Sequence, residues 1–177
     1  MAEASEHPDL TGLAGSLRAE WRAEQEAATA DALAQRRLAQ TLAGWLRDRM
    51  HAGDRIVVEI AGRAFSGTIE EVGDDLVALR TDDGRVELHV NASIAATFAV
   101  VQHATAGGIA SRMRRTFRDA LVARDAQGAV RVGTVQRPEG VEGTLLVSRD
   151  FVTIVAGDGD ELVVPIAHVA WVAPQRR

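Results

Sequence analysis

Helix-patterned and strand-patterned segments alternate along the chain, and the same order occurs twice. From Leu10 to Met50 the composition is rich in Ala, Leu, Glu, Gln and Arg, contains no proline, and places apolar residues at helical spacing. A continuous helix over this segment would extend about 60 Å at 1.5 Å per residue. We therefore expect it to break, to lie across both halves of the protein, or to pair with another helix. Its apolar stripe consists of Leu10, Leu13, Leu17 and Trp21, and then Leu38, Leu42, Trp45, Leu46 and Met50.

Five short strand patterns follow Gly53. Apolar and polar residues alternate within them, and Gly- and Asp-containing turns such as Asp82-Asp83-Gly84 separate them. Short strands joined by tight turns predict a small antiparallel barrel. The predicted strands cover residues 56–60, 64–71, 76–81, 86–90 and 94–101.

A second helix and a second set of strands follow the small-residue segment 104–108. Ile109, Met113, Phe117 and Leu121 recur every fourth residue, which predicts a linker helix within residues 104–127. Strands are predicted over residues 130–135, 141–147, 151–155, 161–166 and 169–172.

The pattern predicts an α+β fold, mainly β with helices, in which a helix precedes each of two tandem five-stranded antiparallel barrels. The predicted segments are an N-terminal helical region (1–52), a first barrel (53–103), a linker helix (104–127) and a second barrel (128–177).

The two halves also repeat a short motif. Phe65-Ser66-Gly67-Thr68-Ile69 and Val141-Glu142-Gly143-Thr144-Leu145 share the order apolar, spacer, glycine, threonine, apolar. Each is followed by an aspartate and an apolar run. The shared glycine suits a strand that bends strongly or meets another backbone closely.

The arrangement Gly53, then Gly62-x-x-Phe65-x-Gly67, resembles the Sm-like family of small β-barrels, whose general form is also SH3-like. The resemblance covers residues 53–101 well and 128–173 less well, since Val141 replaces the aromatic residue. As a whole, the chain is similar to uncharacterised actinobacterial proteins with a helical N-terminus and two such barrels. The resemblance implies barrels that associate through their edge strands.

Sm-like proteins that bind RNA use an Asn after the second turn and an Arg-Gly pair before the last strand. Val77 and Val152 stand at the Asn position, and Asn91-Ala92 and Ala167-His168 stand at the Arg-Gly position. Valine offers no hydrogen bond to a base edge. We therefore expect both repeats to lack the RNA pocket.

Composition narrows the function classes. The chain has 177 residues, of which 46% are hydrophobic and 25% charged, with a net charge of −5 and no cysteine. An acidic, polar start and the lack of a long apolar run predict a cytoplasmic protein with no membrane segment. All 20 basic positions are arginine. The negative net charge argues against general attraction to nucleic acid.

No catalytic motif is found, and the five histidines show no metal-ligand spacing, so we predict a protein that is not an enzyme and has no cofactor or metal. The leading hypothesis is a binding or assembly protein that acts through barrel edges and the long N-terminal helix. Its partner would be itself or another protein, with a homo-oligomer expected. The candidate protein-interface residues are Leu13, Leu17 and Trp21.

The alternative hypothesis is a regulator that binds RNA or DNA through an arginine face of the linker helix. Clustered guanidinium groups neutralise phosphates, but a solvated helix face that pairs with the acidic first barrel explains the same pattern. The candidate nucleic-acid contacts are Arg112, Arg114, Arg115 and Arg118.

Overall fold

A computed structural model describes residues 10–91, 93–105, 107–108, 115–125 and 128–175, with only the backbone described for 10–14. The chain divides into two compact units between Thr41 and Leu42. The first contains one long helix, α1 (Leu10–Ala39). The second begins with a shorter helix, α2 (Leu42–Ala52). Gln40 and Thr41 separate the two helices, so the helical segment is discontinuous, which is one of the three arrangements that its length left open.

In the described part of the second unit, ten strands form one antiparallel sheet, which confirms the α+β class. The order across the sheet is β5-β1-β2-β3-β4-β10-β6-β7-β8-β9. This sheet is not closed, and the two separate five-stranded barrels are not confirmed. The strands are β1 (Arg55–Ile60), β2 (Arg63–Val72), β3 (Leu76–Thr81), β4 (Gly84–His89), β5 (Ala96–Gln102), β6 (Ala129–Thr134), β7 (Val141–Val147), β8 (Phe151–Val155), β9 (Glu161–Pro165) and β10 (Val169–Pro174), with a 3₁₀ turn at Ile166–His168.

The helix between the strand sets, α3, spans Phe117–Asp125. Its start is a capping box: the Thr116 hydroxyl accepts from the Asp119 N–H at 3.2 Å, and the Asp119 carboxylate accepts from the Thr116 N–H at 2.9 Å. The backbone hydrogen bond from Thr116 lowers the pKa of the Asp119 carboxyl. Phe117 and Leu121 are buried as a helix stripe predicts, whereas Ile109 and Met113 lie outside the described residues.

Two hydrophobic clusters form the core. The first lies among α2 and β1–β4, and the second lies among α3 and β6–β9. They exchange members, because Trp171 of β10 packs in the first cluster and Leu76 of β3 packs in the second. We call α2 with β1–β5 the first repeat and α3 with β6–β10 the second repeat. The exchange means that each repeat completes the core of the other.

The repeated glycine permits a close backbone approach in both repeats. A Cβ on Gly67 would collide with the carbonyl oxygen of Arg80 on the neighbouring strand. A Cβ on Gly143 would likewise collide with the carbonyl oxygen of Val155. The predicted need for glycine at this place in the motif therefore has a steric cause in both copies.

Candidate assembly interface

The two repeats join through one strand pair. β4 of the first repeat pairs antiparallel with β10 of the second, with Leu88 opposite Trp171 and Glu87 opposite Val172. On its other side β10 pairs with β6 of its own repeat. The fourth strand of one repeat is therefore hydrogen-bonded to the fifth strand of the other, and the strands of both repeats form one sheet.

Trp171 fills the junction between the repeats. Its side chain is only 1% exposed, and its ring meets that of Phe65 edge-on with centroids 5.2 Å apart. The guanidinium carbon of Arg63 lies 4.7 Å from the centroid of the Trp171 ring, within cation–π range. The indole occupies space that a side chain at Gly133 or Gly140 would fill. One residue of the second repeat thus packs against side chains of the first.

A buried charge cluster lies beside this strand pair. Arg124 of α3 approaches the Glu87 carboxylate at 2.8 Å, and the Arg85 guanidinium contacts Glu87 at 2.9 Å and Glu71 at 2.5 Å. Glu71, Glu87 and Arg124 are buried. Burial alone would lower the pKa of the Arg85 guanidinium, but the hydrogen bonds and charges of Glu71 and Glu87 raise it. The cluster holds the second repeat's helix on the first repeat's sheet.

His89 completes the junction at the end of β4. Its ring stacks on that of Phe117 with centroids 4.4 Å apart, and Nδ1 lies 2.9 Å from the Val169 carbonyl oxygen. Because a carbonyl only accepts, Nδ1 carries the proton. The Asp75 carboxylate accepts a hydrogen bond from the Phe117 N–H at 2.6 Å, at the first residue of α3. The start of α3 is thereby fixed to the first repeat.

The equivalent surface of the second repeat is exposed. Strand register defines the equivalence: Ala78 pairs with Glu87 as Thr153 pairs with Val163, and Leu76 pairs with His89 as Phe151 pairs with Pro165. Glu71 pairs with Ala78 as Leu146 pairs with Thr153. Leu146 is 48% exposed and Val163 58% exposed, and Phe151 and Pro165 are also exposed. Apolar residues are therefore exposed at positions where the first repeat has buried residues. These buried equivalents are Glu71, Leu76, Glu87 and His89.

Strands β5 and β9 end the sheet. Each pairs with one neighbouring strand only among the described residues: β5 with β1, and β9 with β8. A strand edge of this kind has backbone groups available to another strand. β5 is the fifth strand of its repeat and β9 the fourth of its repeat, so these are the equivalents of β10 and β4.

The predicted protein-interface residues lie on α1. Leu17 is 59% exposed and Trp21 63% exposed, while Leu13 lies in the helix but its side chain is outside the described residues. Exposure of two large apolar side chains one helical turn apart is consistent with a contact surface. The assignment of Leu13, Leu17 and Trp21 to a protein interface stays a prediction.

Of the four predicted nucleic-acid contacts, only Arg115 and Arg118 lie in the described part of the chain. Arg112 and Arg114 lie outside the described residues. The Nε of Arg115 lies 3.2 Å from the Glu71 carboxylate, and Arg118 donates to the Arg149 carbonyl oxygen at 3.2 Å. The two described arginines of the set therefore make contacts within the chain.

Sequence reasoning missed most of the junction. It did not connect Glu87 with Arg124 or His89 with Phe117, and it gave Trp171 no role. The signal that was available was Thr116-x-x-Asp119, which marks the true start of α3. The strand partners themselves are distant in sequence, so alternation within a strand does not reveal them.

Comparison of the chain with protein-family models, with curated proteins and with solved structures finds no match. Among the described residues, none of the helices is both long and apolar enough to cross a membrane. The same residues contain no group of three or more His, Cys, Asp or Glu side chains placed to bind a metal ion.

Proposed function

We propose that the protein is a non-enzymatic assembly protein whose copies associate head to tail, with β9 of one copy pairing with β5 of the next. The observation that carries the proposal is the internal pairing of β4 with β10. Those strands are the equivalents of β9 and β5 in the other repeat. One chain thus already contains the contact that a second copy would extend.

The strand register within the chain predicts the strand register between copies. Val58 and Val132 are equivalent, because they pair with Phe65 and Val141, the first residues of the repeated motif. In β10, Val172 pairs with Val132, and in β5, Phe98 pairs with Val58. Since Val172 lies opposite Glu87, the equivalent Phe98 would lie opposite Val163 of the next copy. This pairing uses residues before Pro165, whose missing N–H would otherwise limit it.

Each repeat has a helix, five strands in Sm-like order and the glycine that allows close strand packing, so we propose two tandem barrel-like modules of the Sm-like type. Val77 and Val152 are buried. Buried valines at the positions of the base-binding Asn support assembly over base recognition.

Helix α1 is proposed to add a second contact between copies. Leu17 and Trp21 present apolar surface, and tryptophan contributes strongly to protein interfaces when it is buried there. The first unit would then strengthen an association that strand pairing specifies. Partners of this kind are other copies of the chain.

Light scattering over a concentration series tests the proposal. We expect a dimer or larger species for the natural chain. Trp21→Ala should raise the concentration needed for association by about tenfold or more, because loss of an interface tryptophan costs roughly 2 kcal/mol. Leu33→Ala, an exposed apolar change on the same helix but beside the stripe, should have little effect.

A strictly monomeric natural chain at the highest attainable concentration would contradict the proposal. Equal effects of Trp21→Ala and Leu33→Ala would contradict the assignment of the Trp21 surface, although not the strand pairing. The nucleic-acid alternative stays a prediction. The contacts of Arg115 and Arg118 within the chain weigh against that alternative.

A further inference from the structure

We infer that the exposed outer face of β7–β9 in the second repeat binds helix α2 of a second copy. We call this surface the β7–β9 face, and the inference rests on the proposed head-to-tail association. It adds a helix-docking site to the strand contact and names the residues on both sides. The face is formed by Leu146, Phe151, Thr153, Val163 and Pro165.

The first repeat shows how such a face is covered. Glu87 and His89 are buried there because α3 of the second repeat lies against them through Arg124 and Phe117. Their equivalents, Val163 and Pro165, are exposed within the described part of the chain. The same sheet position is therefore covered by a helix in one repeat and open in the other.

Helix α2 is the equivalent of α3. A glycine with positive φ lies between each helix and the first strand of its repeat: Gly53 (79°) directly follows α2, and Gly128 (97°) lies three residues after the end of α3. Counting back from these glycines aligns Leu46 with Leu121, and both are fully buried in their own repeats. The same count aligns Leu42 with Phe117, the residue that stacks on His89. Leu42 is 45% exposed and so is available for contact.

The chemistry of the face suits this helix. In the first repeat, Glu71 contacts Arg115, just before α3, and Glu87 contacts Arg124 of α3; the second repeat has Leu146 and Val163 at these positions. α2 has the apolar residues Leu42 and Trp45, the latter partly buried, which suit an apolar contact rather than the arginine–glutamate contacts of the first repeat. Covering exposed leucine, valine and phenylalanine stabilises association in proportion to the apolar area removed from water.

Ser148 limits how closely a contact between two copies can resemble the junction within the chain. Gly73 and Ser148 are equivalent, because each donates its N–H to the carbonyl of the residue three positions on, Leu76 or Phe151. A Cβ on Gly73 would collide with the carbonyl oxygen of Arg115. Ser148 has such a Cβ. In the proposed contact, the segment before α2 of the second copy therefore lies farther from Ser148 than Arg115 lies from Gly73. Helix α2 itself makes the contact.

Cross-linking between single-cysteine variants tests the docking, since the natural chain has no cysteine. Leu42→Cys and Pro165→Cys chains, mixed and treated with a short bismaleimide, should give a covalent dimer. Each variant treated alone should give far less, because head-to-tail contact brings unlike positions together. No dimer in the mixture above the level of the separate variants would overturn the inference.

A charge on the face gives a second test. Leu146→Glu lies on β7, away from both terminal strands, and the equivalent position in the first repeat already carries Glu71. We expect association to require at least tenfold higher concentration, with an unchanged far-ultraviolet circular dichroism spectrum. Val135→Glu, at a position 45% exposed outside the face, is the matched control.

The two proposals fail in different ways. If the natural chain associates by light scattering but the Leu42–Pro165 cross-link is absent and Leu146→Glu behaves like Val135→Glu, helix docking is wrong, whereas association through the strand edges is not contradicted. If the natural chain is monomeric, both are wrong. A cross-link together with a selective effect of Leu146→Glu supports both.

Discussion

Trp171→Ala is expected to lower the free energy of unfolding by about 3–5 kcal/mol, the loss usual for a fully buried large aromatic side chain. The indole belongs to β10 of the second repeat but packs in the core of the first, against Phe65 and beneath Arg63. Its removal leaves a cavity at the junction and weakens both repeats together. Urea unfolding followed by circular dichroism measures the loss.

The natural control for this change is Trp21→Ala, since Trp21 is 63% exposed on α1. It should change the free energy of unfolding by less than about 0.5 kcal/mol, as is usual for surface substitutions. This comparison is made on the dissociated protein at low concentration, so that assembly does not contribute. A loss below about 1 kcal/mol for Trp171→Ala would show that the repeats are not joined through this residue.

Gly67→Ala should be similarly damaging, at about 3 kcal/mol or more, because the added methyl group meets backbone atoms that cannot rotate away. The new Cβ would lie 2.9 Å from the carbonyl carbon of Arg80 and closer still to its oxygen. Gly143→Ala in the second repeat should behave in the same way against Val155. The same urea unfolding measurement applies to both variants.

Gly157→Ala is the matched control for the glycine changes. No heavy atom lies within 4 Å of a Cβ built at Gly157, and its φ is not in the left-handed region. Alanine there should be neutral or slightly stabilising, because it restricts the unfolded chain. If Gly67→Ala and Gly157→Ala have equal effects, the repeated glycine does not serve close strand packing.

Local pattern predicted the strands well. Alternation and turn residues placed all ten strands, and the bounds of β8, 151–155, were predicted without error. The length of the helical segment left a break as one of three possible arrangements, and the break lies at Gln40 and Thr41. These features depend on residues close together in sequence, so a local pattern is sufficient to find them.

The junction depends on distant residues and could not be predicted in the same way. Pairing of β4 with β10 brings Glu87 to Val172, and the contact of Glu87 with Arg124 depends on where α3 lies. The sequence indicated two similar units but not how their edges meet. The pattern predicted two tandem five-stranded barrels, whereas the strands form one sheet that is not closed.

Only part of the candidate interface was visible in the sequence. Barrel edges were expected to mediate association, but which two strands would end the sheet was not apparent. The apolar β7–β9 face was hidden because Leu146 and Val163 look like ordinary strand residues. Their equivalents in the first repeat, Glu71 and Glu87, are buried, and α3 contacts Glu87 through Arg124. Only this comparison draws attention to Leu146 and Val163.

Disulfide formation between Phe98→Cys and Val163→Cys chains tests head-to-tail strand pairing most directly. Mixed under mild oxidation, the two single variants should form a covalent heterodimer, because the internal register places these positions opposite each other. Val101→Cys with Val163→Cys is the out-of-register control and should react much less. A heterodimer confined to the Phe98–Val163 mixture is the predicted result; equal reaction in both mixtures, or none in either, would contradict the proposed assembly.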